Sequence, residues 1–494
     1  MHLLPIAELI AQSARAHAQR PALLHPDGAL SYQTLWERAQ ELARSKAFIS
    51  EPIEIIAGQQ SIEEYIQIFA CLISGKPYLP LNPKMPAARV AQILSGLEHF
   101  IARPHKADEI EGAPFSELAY LIFTSGSTGK PKGVPITQAQ LSRYCATLQT
   151  ILSPVPSDRV LQLGDLSFDI SMMAMAIAWP NGAALCAIPS PHVLMAPRYA
   201  EELDITIWLS VPSVIHLSAK AGLLQPDSLP QLRLGILGGE ALTYETAKIL
   251  SDASPQARLY NFYGPTEGTI SLSHFEIDRP NLQSWMETSP QLSIMPIGHP
   301  HPGVQLALWD QELQCFSDEM GEICAHSEQI TSGYICGNAD ECELLNASAF
   351  SMHAGQRWYH TGDLGRYDPH YGYRFLGRVD RQIKYKGYRI ELQECEIALR
   401  QASSSDQACV IPQFAIDAAT SNPQIIGLIG FFVPLPQDAD PQTEQIIPTI
   451  MQKLEKILPS YMIPSKLIAL EALPVNAHGK IDYPALLEQM TKKP

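Results

Sequence analysis

The chain alternates short runs of consecutive apolar residues with longer segments in which apolar positions recur every three or four residues. The runs are "PYLPLNP", "AYLIFTS", "RVLQLGDL", "AALCAIP", "DITIWLSVP", "LRLGILGG" and "RLYNFYG", each short enough to be a strand buried on both faces. Between them, "TQAQLSRYCATLQTIL" and "YETAKILSDAS" carry the period of an amphipathic helix, as does the start of the chain with Leu9, Ile10 and Ala14. Strand and helix in alternation predict an α/β architecture with layered, mostly parallel sheets. Near residue 290 the texture changes to short Gly-bounded strands such as "GYRFLGRVDRQIKYKGYRIEL", which predict a β-rich subdomain. A small α+β unit follows, with helices at "LQECEIALRQAS" and "EQIIPTIMQKLEKIL" and a strand at "QIIGLIGFFVPL".

The length, 494 residues, suits two to four domains, and no uninterrupted apolar run reaches the ~18 residues of a membrane helix. No export signal is evident at the start of the chain. With 35 basic against 51 acidic residues the formal charge is −16, which disfavours nonspecific binding to nucleic acid or anionic membranes and suits a cytoplasmic enzyme. The nine cysteines are scattered and include no Cys-x-x-Cys, so their spacing indicates neither a disulfide framework nor a zinc site.

Candidate chemistry begins at "YLIFTSGSTGKPKGVPIT". A nucleotide P-loop needs a glycine, four residues, then Gly-Lys-Ser/Thr opening a helix. Here Gly126 and Gly129 are two residues apart and Lys130 is followed by Pro131, so the segment reads instead as a loop between paired strands. The hydroxyls of Thr124, Ser125, Ser127 and Thr128, the backbone at Gly126 and Gly129, and the charges of Lys130 and Lys132 would wrap a phosphate. A surface turn is the plain alternative.

The stretch resembles the phosphate loop of the adenylate-forming enzymes: acyl-CoA synthetases, luciferases and the adenylation domains of nonribosomal peptide synthetases. Five further stretches match in order: "LSFDIS", "NFYGPTEGT", "YHTGDLGRY", "GRVDRQIKYKGYRIEL" and "PVNAHGKID". The resemblance spans nearly the whole chain. It implies an N-terminal adenylation core at 1–379, binding ATP and the acid, and a mobile C-terminal domain at 380–494, with Asp380 at the hinge. It also implies that Tyr263 meets the adenine, with Asn261, Phe262 and Gly264 among the nucleotide-binding residues, that Thr266 meets the α-phosphate and that Glu267 holds a Mg²⁺ ion. Asp363 takes the ribose with Arg378 beside it, and Lys480 is the catalytic lysine. Each residue type suits its role: an aromatic stacks on a purine, a carboxylate accepts ribose hydroxyls, and an ammonium lowers the barrier between two reacting anions.

Asp169 selects the acid. At the start of an apolar helical stretch it could be no more than an N-cap. In amino-acid-activating members of the family this aspartate binds the substrate ammonium, so the resemblance implies an amino acid. The family's specificity positions fall on Asp169, Ile170, Met173, Ser213, Ile236, Gly238, Phe262, Ile270 and Ser271. Met173 and Phe262 are bulky and no second charge appears, which favours a small neutral amino acid. "KYKGYRIEL" and "VPSVIHL" are similar to stretches of enzymes that activate D-alanine for teichoic acids. No carrier-domain signature is found, so the expected acceptor is the phosphopantetheine thiol of a separate carrier protein, with Lys384, Lys386 and Arg389 as a candidate basic dock. The alternatives are an acyl- or aryl-acid CoA ligase of the same fold, and a catalytically silent nucleotide-binding regulator.

Overall fold

The computed structural model describes residues 4–102, 117–126, 130–278, 282, 294–416, 423–434, 443–474, 481–483 and 485–486. The chain divides into two compact units. The first comprises Met1–Pro83, Gly96–Phe123 and Gly133–Asp380; the second comprises Lys84–Ser95, Thr124–Lys132 and Arg381–Pro494.

A nine-stranded sheet forms the base of the first unit. Its middle is parallel, with Pro21–His25, Ala184–Ala187, Arg159–Gln162, Ile207–Ser210, Leu234–Gly238 and Arg258–Tyr263 side by side in that order. Gly28–Ser31 closes one edge antiparallel, and Ser273–Ile277 with His299–Pro300 closes the other. Leu234–Gly238 is buried at every position, as its unbroken apolar run requires. Its side chains alternate between two cores: Leu234 and Ile236 pack with Tyr260 and Phe262, whereas Leu237 packs with Leu259. Burial of each such aliphatic side chain contributes roughly 1.5–3 kcal/mol.

A second sheet orders Glu54–Ile56, Tyr78–Pro80, Leu118–Thr124 and Lys132–Thr137. The helix that follows begins only at Gln138, where Thr137 and Gln140 form a capping box. The loop after Thr124 therefore joins two neighbouring strands of one sheet, as the Lys130-Pro131 sequence dictates.

The expected β-rich subdomain is a six-stranded antiparallel sheet centred on the long strand Gln356–Asp368, which pairs with Met320–His326, Phe350–His353 and Gly372–Arg378. Between the pairs Glu322↔Leu364 and Cys324↔His360 one strand advances two residues and the other four. The surplus is a bulge that carries Thr361, Gly362 and Asp363, and bulges of this kind re-aim side chains.

In the second unit a hairpin, Gln382–Tyr385 with Tyr388–Glu391, turns through Lys386 and Gly387, both at positive φ (53° and 80°). That is the geometry of the tight two-residue hairpin turn, and the second position suits glycine. The helix Leu392–Ser403 then packs its Leu392, Cys395 and Leu399 against Val410, Leu428 and Phe432 of a three-stranded sheet and against Leu454 of the helix Thr443–Ile457. Arg89 and Glu394, both buried, form an ion pair within this unit.

Candidate active site

Ligands of parallel sheets collect beyond the carboxyl ends of the strands. Three of the central strands lead there into expected site residues. After Arg159–Gln162 the chain enters the helix Asp169–Ala178, whose N-cap is Phe168 with no side-chain cap bond. Asp169 is therefore the first helical residue and not the cap; its charge is favoured there by the helix dipole. Burial, and then the Asp169 charge, raise the hydroxyl pKa of Tyr120. Burial raises that of Tyr144 as well, with Asp169 adding to the shift, so both phenols lie within reach of this carboxylate's field.

Tyr144 Oη lies 2.7 Å from Ser271 Oγ, and Ser271 Oγ lies 3.0 Å from His301 Nε2. Burial, reinforced by His274, pushes the His301 pKa well below the ordinary imidazole value, so the ring is neutral. The His274 and His301 rings stack at 5.2 Å, and Phe262 lies 5.4 Å from His301. Met173, Ile236, Phe262 and Ile270 belong to the same apolar core as Tyr120 and Tyr144. Ile236 is fully buried, whereas Ile170 is half-buried and packs on this core. At Gly238 a Cβ would sit 2.7 Å from the Phe262 carbonyl oxygen, so the position needs glycine to let the two strands lie at this distance. Ser213 is engaged differently: its backbone N–H and hydroxyl both donate to Glu240, at 2.9 and 3.1 Å.

The strand Arg258–Tyr263 ends in a turn with unusual backbone. Thr269 and Ile270 have φ of 56° and 77°, a conformation that a β-branched residue rarely adopts. Gln329 braces it by donating to the carbonyls of Gly268 and Ser271, each at 2.7 Å, while the Thr269 hydroxyl donates to the Gln329 carbonyl at 2.6 Å. At Gly264 a Cβ would meet Ser271 Cα at 2.4 Å. Glu267 is fully buried and its Oε1 accepts from the Tyr334 hydroxyl at 2.8 Å. Thr266 opens this same short helical turn. Asn261 faces away from Phe262 along the strand, and its amide donates to the Pro296 carbonyl at 2.7 Å.

Four of the expected residues converge at the bulge of the β-rich sheet. Asp363 Oδ2 accepts from the Tyr263 hydroxyl at 2.6 Å, and Oδ1 accepts from Arg378 Nη1 at 2.5 Å. The same guanidinium donates twice to Asp380, at 2.6 Å each, from Nε and Nη2. Asp380 is the last residue of the first unit. Gly362 has φ 73°, and a Cβ there would lie 2.4 Å from Arg378 Nη2. Glycine at 362 is what allows Arg378 to bridge both acids.

In the second unit the Ser125 hydroxyl donates to the Arg389 carbonyl at 2.8 Å. Thr124 ends its strand, Gly126 follows Ser125 in the loop, Lys132 is buried and Lys130 is exposed. Ser127, Thr128, Gly129 and Lys480 lie outside the described residues.

Tyr144, His301, Gln329 and Tyr334 are not singled out by the sequence pattern. Their only signal is three-dimensional: each meets a site residue more than 25 positions away.

Residues 98–335 match the family described as AMP-binding enzyme. Across 96% of its length the chain is 29% identical to a D-alanine--D-alanyl carrier protein ligase of Staphylococcus aureus (strain Newman), covering 97% of that protein. Among solved structures, the Vibrio cholerae adenylation domain AlmE in complex with glycyl-adenosine-5'-phosphate aligns with a TM-score of 0.83 at 23% identity, over 100% of this chain and 98% of that one. Holo-PA1221, a nonribosomal peptide synthetase protein containing adenylation and carrier (PCP) domains, aligns with a TM-score of 0.76 at 26% identity, over 98% of this chain and 84% of that one. Over nearly its whole length the chain is thus similar to a carrier protein ligase and to adenylation domains, and together with the AMP-binding match these likenesses support an AMP-forming ligase that uses ATP.

Proposed function

We propose that this enzyme joins a small neutral amino acid to AMP, releasing pyrophosphate, and then passes the aminoacyl group to the phosphopantetheine thiol of a separate carrier protein. The observation that carries the reading is the placement of Asp169 in the first helical turn, coupled to Tyr144 and through it to Ser271, beside an otherwise uncharged set of Met173, Ile236, Phe262 and Ile270. A carboxylate at this position can accept charge-assisted hydrogen bonds from the α-ammonium of an amino acid. The relatives' names point the same way, since they are ligases for D-alanine and its carrier. Bulky Met173 and Phe262, with the close approach at Gly238, favour alanine or glycine over larger side chains.

In this reading Asp363, oriented by Tyr263 and Arg378, accepts the ribose hydroxyls, and Tyr263 and Gly264 frame the adenine, while Asn261, its amide bonded to the Pro296 carbonyl, steadies the strand beside them. Thr266 holds the α-phosphate. Glu267 suits a Mg²⁺ ion: it is a hard, buried oxygen donor oriented by Tyr334, of the kind that binds magnesium together with substrate phosphates. When bound, the ion neutralises charge on the phosphates. The segment from Thr124 to Lys132 is the proposed grip for the departing pyrophosphate, and Lys480 is the lysine proposed to meet the two reacting anions. Lys384, Lys386 and Arg389 on the hairpin supply a basic surface for an acidic carrier. Nine free cysteines, eight of them buried, and the use of ATP favour the cytoplasm as its place of work.

Pyrophosphate exchange with a panel of D- and L-alanine, glycine, serine, larger amino acids, fatty acids and aryl acids tests the reading. Exchange should be greatest with the small amino acids. Activity confined to acids without an amino group would assign the enzyme to the acyl- or aryl-CoA ligases instead.

The Asp363 arrangement makes a separate prediction. Gly362→Ala forces its methyl group against Arg378 and strains a left-handed residue, so KM for ATP should rise about tenfold, matching roughly 1.4 kcal/mol, with little change in KM for the amino acid. An equal rise in both constants would show that the bulge does not serve the nucleotide.

A further inference from the structure

On the β-rich sheet, flanking the bulge that carries Asp363, Glu322, Cys324 and His360 bring one oxygen, one sulfur and one nitrogen within 4.8 Å of one another. His360 Nδ1 lies 3.1 Å from Glu322 Oε2 and 3.3 Å from Cys324 Sγ. We propose that these three side chains form a binding site for one divalent first-row transition-metal ion of the zinc class.

The donor set selects the ion. A thiolate and an imidazole suit a borderline cation and do not suit magnesium or calcium, which take oxygen ligands. Zinc binds such donors at about 2.0–2.3 Å, so tetrahedral ligands stand roughly 3.3–3.7 Å apart. The two separations from Nδ1 need to open by only a few tenths of an ångström, and the Cys324 and Glu322 donors already lie within 4.8 Å of each other. Nδ1 carries at most one hydrogen and faces two groups, so a proton serves one of these contacts well, whereas a divalent ion satisfies all three donors at once.

The surrounding groups are those that orient metal ligands. His360 Nε2 lies 2.7 Å from Ser351 Oγ, and a proton donated there leaves Nδ1 bare for ligation. The backbone N–H of Gly362 donates to Glu322 Oε1 at 2.8 Å, and the Gln311 amide donates to Oε2 at 3.3 Å. Oε2 is thus the oxygen turned to the cluster. Cys324 and Glu322 are buried, and His360, half-buried, marks the way in. No sequence motif announces the site, because Cys324 and His360 are brought side by side only by strand pairing.

The test uses the full chain, freed of metal by a chelator and returned to buffer with excess Mg²⁺. Equilibrium dialysis against Zn²⁺ should give one bound equivalent. Replacement by Co²⁺ should give a thiolate-to-cobalt charge-transfer band in the unaltered protein. Cys324→Ser should abolish the band, and His360→Ala should weaken Zn²⁺ binding at least tenfold, while Cys315→Ser at the exposed cysteine changes neither. The unaltered protein keeps the test decisive even if a variant folds poorly. The proposal is overturned if that protein binds no equivalent of zinc, shows no charge-transfer band, or loses the band on Cys315→Ser.

Discussion

Lys480→Ala should lower pyrophosphate exchange by about 10²–10³-fold, the loss typical of removing one group that stabilises charge developing in a transition state. The substrate carboxylate and the α-phosphate are both anions, and their approach is opposed until a cation meets both. Binding of ATP, measured without the amino acid, should change far less, because the nucleotide contacts assigned to Tyr263, Asp363 and Arg378 remain. Transfer of an aminoacyl group from a supplied adenylate to the carrier should also survive, since no phosphate is attacked in that step. A variant that adenylates at the wild-type rate would remove Lys480 from the chemistry altogether.

Asp169→Ala should lower kcat/KM for the amino acid by about 10–100-fold, because a hydrogen bond to a charged group contributes ~1.5–3 kcal/mol. The KM for ATP should stay within about twofold. The helix itself should tolerate the change. Phe168, not Asp169, occupies the cap, and the interaction of Asp169 with the helix dipole contributes only about 0.3–1 kcal/mol. Acids that lack an amino group should be relatively favoured in the variant, since the site no longer demands a cation. Parallel losses in ATP and amino-acid affinity would instead mark Asp169 as a structural residue.

The fold was legible wherever burial is two-sided. "LRLGILGG" and "RLYNFYG" read as strands because both of their faces meet apolar cores, and the helix predicted at "LQECEIALRQAS" spans Leu392–Ser403. The edges were less legible. Ser273–Ile277 and His299–Pro300 turn the sheet antiparallel, and their short polar stretches carry no unbroken apolar run. The compact units also differ from a single cut in the chain, since Lys84–Ser95 and Thr124–Lys132 group with the C-terminal segment. Periodicity within one segment cannot express such grouping. Of the residues proposed for the site, Asp169, Asp363 and Glu267 stand out as acids in apolar or glycine-rich contexts. Gln329 does not, because its role depends on meeting three carbonyls about 60 residues away. Asn261 shows the converse: it sits in a recognisable motif, yet its amide is spent on the Pro296 carbonyl.

If Ile270 lines the amino-acid pocket as proposed, its left-handed backbone constrains how the substrate range can drift. Most side chains inherit the same steric penalty there, so exchanging one bulky residue for another leaves the strain in place. Glycine and asparagine are the residues that relieve it. Evolution at this position therefore has a preferred direction, toward a smaller side chain and, on the proposed role of Ile270, a roomier pocket.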